Sequence, residues 1–143
     1  FLYSGFEHGH RFADSIAPLP LDRPVCAKME LFASVSVARM TFLQLGSDFA
    51  ACMADNEEQA AAADIEIQQT FLPLTDPAIG AAVTHLRSRG YFLGAVLPCW
   101  FGDDGLLMQK LSREPNIAGT KLYTDRAREI LSLVLSDRNS IAK

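Results

Sequence analysis

A chain of 143 residues with 49% hydrophobic and 21% charged side chains holds enough apolar material for one buried core and is too apolar for a disordered segment. Its formal net charge of −4, with 13 basic residues scattered rather than gathered into a stripe, argues against general nucleic-acid binding. No apolar run approaches the roughly 18 to 20 residues that span a bilayer, and the opening FLYSGFEHGHRF lacks the basic, apolar, small-residue order of a secretory signal. Cys26, Cys52 and Cys99 are far apart and odd in number, which fits reduced thiols in a cytoplasm better than a disulfide framework. Paired C-x-x-C spacing is lacking, so no zinc site is expected.

Phe1 to Phe6 begins without an initiator methionine and with large apolar residues, and reads as the start of a fragment or half of a longer polypeptide. Gly5 followed by Phe6 has the form of a helix end running into a strand. His8 and His10 have a spacing that metal sites use on strands, but only Glu7 and Asp14 lie near them, and a solvated turn is the preferred reading. Pro18, Pro20 and Pro24 mark an irregular connection with Asp22 and Arg23 exposed.

From Lys28 to Leu45 the chain reads as two strands, with Met29, Leu31, Ala33, Val35 and Val37 alternating against Glu30, Phe32, Ser34 and Ser36. No tight-turn signal fixes the break between them. Gly46-Ser47-Asp48 ends the run, and Ser47 is the expected N-cap of a helix from Asp48 to about Ala63. Phe49, Cys52, Met53 and Ala60 form its expected inner face, while Asn56, Glu57, Glu58 and Gln59 are expected in solvent.

Ile65, Ile67 and Phe71 alternate with Glu66, Gln68 and Thr70, the pattern of a strand buried on one face. Asp76-Pro77 starts a helix whose apolar stripe is Ile79, Ala82, Val83 and Leu86, with Arg87 and Arg89 near its C-terminal carbonyls and Gly90 as its stop. Tyr91 to Leu97 is an apolar run closed by Pro98, and Gly105 to Leu111 is a further strand after the turn at Gly102-Asp103-Asp104. Cys99 and Trp100 read as packing at a strand end, and Trp100 with Phe101 as a partly exposed aromatic edge, either a core anchor or an interaction surface. Ser112 to Gly119 is a loop, and Thr124 with Asp125 opens a last helix with the stripe Ala127, Ile130, Leu131, Val134 and Leu135, fraying from Asp137.

The order β, β, α, β, α, β, β, α predicts an α+β domain on one mixed, mostly antiparallel sheet flanked by helices, spanning 1–143 as a single unit. Leu2 to Phe6 (L-Y-S-G-F) and Leu86 to Tyr91 (L-R-S-R-G-Y) are alike, and each is followed by an apolar-proline segment and a strand. Duplication and chance are both open readings of that likeness; under duplication, residues 1–28 are the tail of a preceding repeat.

The strand Ile65 to Leu72, the helix Asp76 to Arg89, the Gly90-Tyr91 end and the hairpin Tyr91–Leu97 with Gly105–Leu111 resemble the C-terminal half of the GNAT fold of N-acetyltransferases. There a helix ending in a pattern like L-Y-x-x-x-G-F precedes a hairpin. The resemblance extends over Met29 to Leu111 when the two earlier strands and their helix are included. It implies that the loop between a central strand and the next helix wraps the pyrophosphate of acetyl-CoA, here Gly46, Ser47, Asp48 and Phe49. Two departures from the pattern stand out. The loop carries one glycine and an aspartate where the family has Q/R-x-x-G-x-G/A. The tyrosine that often protonates the leaving thiolate is replaced by Leu86, and counting back from Gly5 reaches Phe1. Glu66 and His85 are the candidate bases, with solvated surface groups as the plainer reading of both. The resemblance implies a degenerate domain acting as a ligand-sensing or interaction module of a larger cytoplasmic protein of bacterial signalling. The alternatives are an acyl-CoA-dependent N-acetyltransferase with an atypical loop, and a structural domain that pairs with a second copy or with another domain of its own chain. The partner expectation is accordingly a small molecule or acyl-CoA, or a homodimer, and neither nucleic acid nor membrane.

Overall fold

The computed structural model describes residues 17–141, so the expectations on Phe1 to Phe6, on Glu7, His8, His10 and Asp14, and on the L-Y-S-G-F half of the repeat lie outside the described residues. Within them the elements follow the predicted order. Strand β1 (Cys26–Phe32) and strand β2 (Val37–Gln44) form a hairpin; helix α1 (Phe49–Ala62), strand β3 (Ile67–Pro73) and helix α2 (Ile79–Ser88) come next. Strands β4 (Phe92–Leu97) and β5 (Gly105–Leu111) and helix α3 (Asp125–Ile141) follow. The fold is α+β, on one five-stranded mixed sheet of order β1-β2-β3-β5-β4. Among the described strands, β2 and β3 alone run parallel; α1 crosses between them, as a parallel connection requires.

The break that the sequence left unplaced is a short 3-10 turn at Ala33–Val35, closed by Ser36 in the left-handed region at φ 53°. The turn interrupts the expected alternation. Ala33 and Val35 leave the strand, Val35 ends 63% exposed, and Val37 takes the face opposite to Ala38, Met40 and Phe42. Those three residues, with Leu72 and Met108, meet the helices. Phe42, Leu45, Phe49, Met53, Ala82 and Leu86 are at most 1% exposed between sheet and helices and form the core. Burying such side chains contributes about 1.5 to 3 kcal/mol each, an upper bound that ignores residual collapse of the unfolded chain.

Strand β3 departs from the one-face reading. Both faces are covered in its C-terminal half: Thr70 and Leu72 are buried on the helix side, and Phe71 on the far side beneath the stacked ring of Trp100, 5.3 Å away, while Ile67, Gln68 and Gln69 stay half-buried. Ile65 is buried but precedes the strand, following Asp64 at φ 51°. The expected solvent face of α1 is likewise half wrong. Asn56 is buried and Glu57 is held by Arg89 and Lys110, whereas Glu58 and Gln59 are exposed as expected.

One of the predicted ends also changes. The last helix does not fray at Asp137: it runs to Ile141, because Asp137 accepts from Arg87 and from the Leu93 backbone N–H, tying α3 to α2 and β4. The stripe of α3 is only half-buried against β4. Thr124 stands at its start as predicted, its Oγ1 accepting from Ala127 N–H at 3.1 Å.

One irregularity shapes the middle of the sheet. The β1–β2 register jumps from Ala27↔Phe42 to Cys26↔Gln44, leaving Leu43 as an unpaired bulge that is 61% exposed. A bulge bends its strand. The β2–β3 ladder stops at the same level, at Thr41↔Phe71, although β2 continues to Gln44 and β3 to Pro73. Beyond it each strand keeps only its outer partner, β1 for β2 and β5 for β3. The parallel pair therefore parts at its C-terminal end.

Candidate functional site

Open α/β sheets place ligands outside the carboxyl ends of parallel strands, where helix N-termini converge. Here that place lies where β2 and β3 part, between the starts of α1 and α2. Gly46, Ser47, Asp48 and Phe49 stand on its β2 side, and Asp76 on its β3 side.

The four loop residues are not arranged as an open anion cradle. Residues 22–25, which lead into β1, lie across them as a strap. Ser47 N–H donates to the Arg23 carbonyl at 3.0 Å, and its hydroxyl reaches the same oxygen at 3.4 Å. Ser47 is therefore not the helix cap that the sequence predicts; Asp48 occupies that position, without a capping bond from its side chain. The Asp48 carboxylate instead accepts from Val25 N–H at 2.6 Å. Phe49 N–H is taken by the Gly46 carbonyl at 3.2 Å, and Gln44 donates to the Pro24 carbonyl at 2.9 Å.

Gly46 is glycine for the sake of this strap. A Cβ built there would sit 2.2 Å from the Pro24 carbonyl carbon and 2.4 Å from Val25 N, a contact only displacement of the main chain could relieve. The glycine brings the strap's backbone close, in the place where a phosphate-binding loop would bring an anion.

Arg23 and Asp76 close the gap between the two arms. Arg23 donates through Nε to the Leu45 carbonyl at 2.9 Å and through Nη2 to Asp76 at 3.0 Å. Asp76 also accepts from Leu45 N–H at 3.3 Å and, through its other oxygen, from Ala78 N–H at 2.9 Å. The Asp76-Pro77 signal thus marks the helix start one turn ahead of Ile79, and the same carboxylate ties α2 to the end of β2. An open depression of about 290 Å³ lies outside this tie, lined by Pro18, Pro20, Asp22 and Pro77 with Arg23 and Asp76.

The two candidate bases are not brought together. Glu66 sits at the opposite end of the sheet, where β3 begins, paired with Arg113 at 2.8 Å and with its backbone N–H donating to Ser36. An eight-residue β2 separates that end from the loop, about 26 Å of strand. His85 does stand beside the loop, edge-on to Phe49 with centroids 5.7 Å apart. Its Nε2 is enclosed with no hydrogen-bond partner, and burial, with Arg89 nearby, lowers its pKa below the usual 6.5. Leu86, which the resemblance would set in the place of the tyrosine, is fully buried in the core. Tyr91, five residues on, is buried too; its hydroxyl donates to Gln68 at 2.7 Å, and desolvation, with Glu57 nearby, pushes its pKa above the usual 10.0.

The structure adds a polar cluster that sequence spacing does not announce. Glu57 on α1 accepts from Arg89 at the end of α2 and from Lys110 on β5 at 3.2 Å. Burial opposes its charge, but the bonds from Arg89 and Lys110 prevail and lower its pKa below 4.5. The void between this region and β1, about 10 Å³, is at the lower limit for one water, so the core offers a ligand no chamber there.

Cys99 and Trp100 are both exposed, Trp100 to 51%, and Cys99 takes φ 57° in the turn with its N–H donating to Asp104 at 2.9 Å. Among the described residues no three His, Cys, Asp or Glu side chains come together as a metal site, and no helix is long and apolar enough to cross a membrane. No family model and no curated protein matches the chain. Chemically, the arrangement offers a loop whose polar backbone is engaged by its own chain and, beside it, a half-buried imidazole whose Nε2 has no partner.

Proposed function

We propose that the chain is a GNAT-like domain whose acetyl-CoA site is degenerate and which serves as an interaction module rather than as an acyl-CoA-dependent N-acetyltransferase. Support for the GNAT-like part comes from topology. A hairpin, a crossover helix, a parallel strand, a second helix and a closing hairpin stand in the order β1-β2-β3-β5-β4, and the parallel pair parts just before the loop that the family uses. Strand orders recur among unrelated functions, so the site decides the activity.

The observation that carries the reading is the strap over Gly46 and Ser47. A pyrophosphate bound at a helix start needs unengaged N–H groups and a close approach to glycine. Here the Ser47 N–H holds the Arg23 carbonyl, the space over Gly46 is filled by Pro24 and Val25, and Asp48 adds a negative charge. Leu86 supplies no proton for a leaving thiolate.

Thermal unfolding of the chain with acetyl-CoA or CoA in millimolar excess tests this. A ligand bound only by the folded state at a hundred times its Kd stabilises by about 2.7 kcal/mol, a rise of several degrees. The expected result is no rise. A saturable rise with acetyl-CoA and CoA would overturn the reading and return the loop to the enzyme alternative.

A further inference from the structure

Strand β1 stands at the margin of the sheet, and among the described residues β2 is its one strand neighbour. Natural edge strands are normally blunted by proline, by charge, by bulges or by a cover, because their free N–H and C=O groups accept another strand. β1 has no proline between Cys26 and Phe32, and it leaves Leu31 46% and Phe32 37% exposed. Its two charges are adjacent and opposite: Lys28 and Glu30 share the face away from the helices, with side chains 69% and 37% exposed.

We propose that β1 is a self-pairing edge, and that its partner is β1 of a second copy of this chain, antiparallel and in register about Met29. A two-fold axis through Met29 sets Lys28 opposite Glu30 of the second copy, and Glu30 opposite its Lys28. It sets Ala27 opposite Leu31 and Cys26 opposite Phe32. All seven residues of the strand are used, because Met29 is its middle residue. The charge pairs fall on one face and the apolar pairs Ala27–Leu31 on the other, so each side chain keeps the face it already has. Shifting the register by two residues in either direction takes Lys28 away from Glu30 and leaves one end of each strand unpaired, so the charges select the centred alignment over its neighbours. The result is an isologous dimer with a continuous sheet across both copies.

The inference names the partner of the interaction module proposed above and rests on that reading only for its biological sense, since the residues it uses, Lys28 and Glu30, make none of the strap's contacts at Gly46 and Ser47. Its test is a charge exchange followed by sedimentation of the whole chain, with circular dichroism of each variant to register folding. The unaltered chain should sediment as a dimer. Lys28→Glu or Glu30→Lys alone puts two like-charged pairs in the interface and should raise the dimer dissociation constant by about tenfold or more. The double variant Lys28→Glu, Glu30→Lys should dimerise again. An equimolar mixture of the two single variants should form a heterodimer, since each then presents the charges the other needs. A chain that stays monomeric at high concentration would overturn the proposal while leaving the thermal-shift result untouched. Dimerisation indifferent to the exchanges would overturn the register and the edge alike.

Discussion

Asp76 is the residue through which the parted strands are held, and replacing it measures that tie. Its side chain is only 9% exposed and has three donors around it: Arg23, the Leu45 N–H and the Ala78 N–H. In Asp76→Ala the Leu45 N–H, in a buried residue, loses this acceptor at about 1 kcal/mol, the low end of the usual range because the bond is long at 3.3 Å. Loss of the turn onto Ala78 resembles loss of a helix cap and costs about 1 kcal/mol more. The Arg23 pair, with that arginine side chain 40% exposed, is screened and contributes about 0.5 to 1 kcal/mol. Together these give about 3 kcal/mol. Asp76→Asn keeps one carbonyl oxygen but turns an N–H₂ group toward donors, so it should lose about half as much. Urea denaturation at neutral pH reads these values as a fall in midpoint with an unchanged slope. A loss within about 0.5 kcal/mol for Asp76→Ala would refute the tie and, with it, the claim that the strap is anchored across the gap.

Two further outcomes follow from the same contacts. His85 has its pKa lowered in the fold, so the unfolded chain binds its proton first as pH falls; stability should be full above about pH 6.5 and decline below it, by at most about 1.4 kcal/mol per pH unit. Urea midpoints at pH 7.5 and pH 5.5 should therefore differ more for the unaltered chain than for His85→Gln, and equal differences would deny the imidazole its enclosed place. Asp137→Ala should loosen α3, at a cost of about 2 kcal/mol, because it leaves Arg87 and the Leu93 N–H without their carboxylate. Limited proteolysis should then cut within Asp125–Ile141 before cutting the sheet, and an unchanged cleavage pattern would show that the helix is held by its apolar stripe alone.

Local patterns made most of the fold legible before any coordinates. Strand β5 has the limits its turn signals gave, and α1 and α2 begin and end within a few residues of their breakers, because capping and periodicity act over one or two turns of chain. Where one face of an element meets a distant part of the chain, the signal fails for the same reason. Thr70 reads as solvent-facing from its neighbours in sequence, yet it lies in a central strand roofed by helices. Glu57 reads as surface, yet its partners Arg89 and Lys110 are 32 and 53 positions away. The loop shows the limit most sharply. Gly46 and Ser47 were legible as a break and a helix start, but the strap that occupies them comes from residues 22–25, whose prolines announce only an irregular path. Asp48, a departure from the loop pattern of the resemblance, has its positive use in accepting the Val25 N–H.

The sheet order also bears on how the chain reaches this state. Each hairpin, β1 with β2 and β4 with β5, joins neighbours in sequence across a short connection, whereas β3 enters between them and must find both β2 and β5. Local pairings close quickly and at little entropic cost; contacts of large sequence separation come later. Two preformed hairpins with unsatisfied inner edges would thus wait for one strand to join them. Until β3 arrives, the chain exposes edges on β2 and β5 as well as on β1, and the seating of that strand is the step at which productive folding competes with pairing between chains.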